Sequence, residues 1–66
     1  MDNIDRAEAA RSVLTYFCQL VPNDNDVETL STDLICNLRH LAESKGIDFH
    51  KVLARASEQF DSERGE

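Results

Sequence analysis

The sequence predicts a small all-α domain, a three-helix bundle for which pairing as a dimer is one way to complete the core. Three observations lead there. Apolar residues recur at helical spacing in three separate segments. No segment alternates in the two-residue period of a strand. The single Pro and both Gly fall at or beyond the ends of those segments. The 66 residues form one domain, residues 1–66, because a chain this short has material for one core only.

The first helix is expected over residues 4–20. Asp2 or Asn3 can cap it, and Asp5 and Glu8 suit its positive end. Val13, Leu14, Tyr16, Phe17 and Leu20 lie within its apolar arc. Pro22 ends it, since the residue before a proline avoids helical geometry. The linker Asn23-Asp24-Asn25-Asp26 consists of turn formers and caps. Asn25 and Glu28 stand in capping-box spacing, and Asp26 is an equally good cap.

The second helix is expected over residues 27–44. Leu30, Leu34, Leu38 and Leu41 form a stripe, with Leu34 and Leu38 at its centre. Gly46 is placed as a left-handed C-cap. The third helix is expected over residues 49–61, capped by Asp48, with a narrow stripe of Phe49, Val52, Leu53, Ala56 and Phe60. Residues 62–66 are polar and are expected to fray. The narrow third stripe leaves a flank of the first two helices uncovered, with Tyr16 and Ile35 as candidate partner-binding residues.

Thirteen acidic against seven basic residues give a net charge of −6. That balance disfavours nucleic acid and anionic membranes, and favours a protein partner with a basic surface. The acids are densest at Asp24, Asp26, Glu28 and Asp33, the candidate docking cluster. The absence of a long apolar run argues against a membrane span. Two Cys do not make a disulfide framework, so a reduced cytoplasmic setting is expected.

Metal and enzyme chemistry find little support. Cys36 and His40 share a helical face, and zinc would need Cys18 and His50 to join them. Asp24, Asp26 and Glu28 alternate as calcium ligands do, but Thr29 and Ile35 occupy the positions that require Gly and Glu. No nucleophile–base–orienter set or phosphate loop is present, so no catalytic residue, metal or cofactor is expected. A helix-turn-helix reader is the rival reading. Its third helix would offer Lys51, Arg55, Gln59 and Arg64, opposed by Glu58, Asp61 and Glu63.

The stretch Thr32-Asp33-Leu34-Ile35-Cys36-Asn37-Leu38-Arg39-His40-Leu41-Ala42, followed by Gly46-Ile47-Asp48-Phe49, Ala56 and Phe60, resembles a pattern found in short uncharacterised helical proteins of bacterial phages and mobile elements. The resemblance covers the C-terminal half. It implies a mobile-element context, with the bacterial host cytosol as the setting, and no activity.

The resulting expectation is a non-enzymatic protein–protein interaction module. In a mobile-element setting its sharpest form is an inhibitor of a host nucleic-acid enzyme, similar to an anti-CRISPR protein. The alternatives are a small DNA-associated regulator and a structural homodimer.

Overall fold

The computed structural model describes residues 2–20 and 26–65. It is an all-α three-helix bundle: α1 spans Asn3–Leu20, α2 spans Val27–Ser44 and α3 spans Phe49–Arg64. No strand occurs among the described residues.

The helix ends are set locally. Asp2 accepts a hydrogen bond from the Asp5 N–H at 2.8 Å and so caps α1. Asp26, rather than the alternative Asn25, caps α2; its carboxylate accepts from the Thr29 N–H at 3.0 Å and the Thr29 hydroxyl at 3.1 Å. Asp48 caps α3, accepting from the His50 and Lys51 N–H groups. Between α2 and α3, Gly46 adopts φ 69°, the left-handed conformation. The Ile47 N–H then reaches back to the Ala42 carbonyl at 2.9 Å, and the Gly46 N–H reaches the Glu43 carbonyl at 3.2 Å. These are the two bonds of a Schellman motif, and they satisfy carbonyls that the helix end leaves open.

The third helix runs further than the sequence predicts. Residues 62–64, expected to fray, are its last turn. Gln59 Nε2 donates to Glu63 Oε2 at 3.0 Å, and Arg6 Nε lies 3.5 Å from the same oxygen. Asn3 Nδ2 donates to the Glu63 carbonyl at 3.3 Å, while Arg6 Nη1 donates to Asn3 Oδ1 at 2.7 Å. The first turn of α1 therefore holds the last turn of α3 through polar groups. A half-exposed ion pair of this kind contributes about 1 kcal/mol or less.

The helices are splayed. Among the described residues, the buried apolar side chains are Phe17, Leu30 and Ala42. Phe17 and Leu30 lie on either side of the α1–α2 linker, and Ala42 lies just before the α2–α3 turn. Leu14 and Leu34 are half-buried. The leucine stripe of α2 is not the closed core that its spacing predicts: Leu38 is 46% and Leu41 54% exposed. On α3, Phe60 is 58% exposed. The molecule measures 36 × 30 × 16 Å, and its radius of gyration is 13.2 Å, against about 11 Å for a compact chain of this length.

Two substitutions probe this frame at a fixed protein concentration. Gly46→Ala should cost about 1 kcal/mol, since a Cβ meets nothing within 4 Å but the left-handed backbone disfavours it. Phe17→Ala, which empties the α1–α2 junction, should cost about 3 kcal/mol. Urea unfolding followed by circular dichroism measures both. A larger loss for Gly46→Ala than for Phe17→Ala would contradict a core centred on Phe17.

Candidate interaction surface

The structure separates the two sets of residues that the sequence proposes for binding. Among the described residues, the acidic candidates do not all share one face. Asp24 lies outside the described residues. Asp26 is occupied as the α2 cap. Glu28 and Asp33 are five positions apart on α2, which turns them about 140° from one another. Helical phase thus sets Glu28 apart from Asp33, although the two are close in sequence.

The apolar set has the exposure a docking surface requires. Tyr16 is 62% exposed and Ile35 is 47% exposed. Tyr16 is not isolated. Val13 and Leu20 stand three before it and four after it on α1, and they are 53% and 62% exposed. The three form one stripe along the helix. The segment from Ser12 to Leu20 carries no charged residue.

Sequence reasoning identified the apolar stripe of α2 but missed how much of it stays open. Between Ser44 and Ile35 on the helical wheel, about half the circumference of α2 carries no charge. Glu28, Asp33, Arg39 and Glu43 all fall in the other half. The uncharged half holds Leu30 and Ala42, which are buried, but also Val27, Leu38 and Leu41, which are about half exposed. Beside it, a groove of about 910 Å³ runs along α1 past Ile4, Ala7, Leu14 and Cys18 to Val27 and Leu30.

The remaining chemistry-bearing residues do not converge. Cys36 is exposed on α2, His40 one turn beyond it is exposed as well, and Cys18 is half-buried on α1. Among the described residues, no three His, Cys, Asp or Glu side chains are placed to share a metal ion. On α3, Lys51 and Arg55 lie within about 120° of Glu58 and Asp61 around the helix, and all four are exposed. Among the described residues, no helix is long and apolar enough to cross a membrane.

No family model matches this chain, and no curated protein or solved structure is significantly similar to it.

The placement of the two thiols gives a direct check. In the native protein Cys36 should react with an aromatic disulfide reagent faster than Cys18, and Cys36→Ser should leave the helical content unchanged. Equal rates, or loss of helicity in Cys36→Ser, would contradict the exposed position of Cys36.

Proposed function

We propose that this protein is a non-enzymatic protein–protein interaction module that docks through exposed apolar side chains. The observation that carries the reading is the uncharged stripe of Val13, Tyr16 and Leu20, all more than half exposed on one face of α1. A monomeric soluble domain rarely leaves contiguous apolar surface open unless something covers it. An exposed tyrosine flanked by aliphatic residues is a frequent anchor in such contacts, because a rigid ring buries much area at little entropic cost. Ile35 extends the apolar set onto α2.

The net charge of −6 supports a partner with a basic surface, and it acts on encounter more than on hold. In a mobile-element context, a small acidic module of this kind would serve as an inhibitor of a host nucleic-acid enzyme, of the anti-CRISPR type. The setting would be the host cytoplasm.

Apolar docking and acidic docking make different forecasts for a partner retained from host lysate. With apolar docking, Tyr16→Ala should raise the dissociation rate about tenfold or more and leave the salt dependence unchanged. Replacing Asp24 and Asp33 together with Lys should lower the association rate at low salt by a smaller factor. Surface plasmon resonance at low and high salt reads both rates, once circular dichroism has established that each variant folds. An unchanged dissociation rate for Tyr16→Ala would remove the apolar stripe of α1 from the contact.

A further inference from the structure

We infer that α3 is a hinged arm, which leaves the α1–α2 pair as one unit by turning between Ile47 and Asp48, and that Glu63 is the latch that holds it closed. The arm is independent of the docking reading. The latch lies at the first turn of α1, whereas Val13, Tyr16 and Leu20 lie along its second half.

The joint follows from where the hydrogen bonds of the turn go. Gly46 and Ile47 donate back into α2, to the Glu43 and Ala42 carbonyls, so both residues belong to the end of α2. Asp48 belongs to α3. Its carboxylate accepts from the His50 and Lys51 N–H groups, and its carbonyl accepts from the Val52 N–H. Each helix is thus closed on its own side of the joint. A rotation there leaves the terminal bonds of both helices intact.

The third helix also has the least apolar hold. None of its side chains is buried, whereas α1 buries Phe17 and α2 buries Leu30 and Ala42. Phe49, next to the joint, is half-buried. Val52, Leu53 and Phe60 stay exposed. Elements with few buried apolar contacts open at lower free energy than the rest of a structure, so α3 opens first.

Its far end is held by polar groups. Glu63 Oε2 lies 3.5 Å from Arg6 Nε, and the Glu63 carbonyl accepts from Asn3 Nδ2 at 3.3 Å. Both charges are poorly placed within their own helices. An acid in the last turn of α3 opposes the negative end of that helix's dipole, and a cation near the start of α1 opposes the positive end of the other. Each gains when the two ends meet, because Glu63 then stands at the positive end of α1 and Arg6 at the negative end of α3. The pair favours the closed arm and disfavours the free one, as a latch must.

Native-state hydrogen exchange of the full 66-residue chain, followed by NMR, tests the latch. A released helix of 16 residues is marginal in water, so each opening exposes the α3 amides to exchange. Where exchange follows the opening equilibrium, amides in the middle of α3 should be less protected than those around Phe17 and Leu30. Glu63→Ala and Arg6→Ala should each speed α3 exchange about two- to fivefold and leave the amides around Phe17 and Leu30 unchanged. Combining them should add little beyond either alone. Arg6→Ala replaces no residue of α3, so its effect there reads the latch rather than helix propensity. Glu58→Ala, which removes an exposed acid from the same helix, is the control and should not speed α3. Equal protection of all the helices in the wild-type chain would overturn the proposal, because α3 would then open only with the whole chain. An Arg6→Ala variant that speeds every helix alike, or speeds α3 no more than Glu58→Ala does, would overturn it as well.

Discussion

An amphipathic helix a few turns long is held in water chiefly by the surface it packs against, because its own propensity leaves it marginal. This chain has three helices of 16 to 18 residues, each with an apolar stripe. Among the described residues, its buried apolar side chains are Phe17, Leu30 and Ala42. Those three lie near the two connections between helices, where the chain's own continuity holds neighbours together. Away from the connections the helices diverge, and the polar cluster around Glu63 ties α1 to α3. The other properties follow from this shortage of cover: the splayed shape, the half-exposed Leu38 and Leu41 of α2, and the apolar stripe of α1.

What is legible in the sequence is local. Asp2, Asp26 and Asp48 act as caps because a helix start is decided within three residues of the cap. Gly46 ends α2 because its φ of 69° costs a glycine nothing. The extent of α2 follows from apolar periodicity and matches the expected residues 27–44. The last turn of α3 is not legible, because Glu63 is held by Asn3, sixty positions away. The exposure of Leu38 and Leu41 is not legible either. Periodicity says which face of a helix is apolar, but not whether another element reaches it. The phase of the acidic candidates on the helix is a related matter: Glu28 and Asp33 are near in sequence and about 140° apart around α2.

Tyr16 and Ile35 are legible as candidates because stripe widths can be compared from residue spacing alone. Three stripes that close on one another should have similar widths. A narrow third stripe leaves the flanks of the first two open, and both residues are indeed exposed.

The net charge of −6 is unevenly distributed around α2. Glu28, Asp33, Arg39 and Glu43 occupy one half of its circumference, and Asp33 and Glu28 stand at the two edges of the uncharged half. A surface laid over that half would therefore meet a carboxylate on each side, which opposes an acidic neighbour and suits a basic one. At physiological salt the screening length is about 8 Å, so these flanking charges act on whatever lies directly against the helix and little on anything farther away.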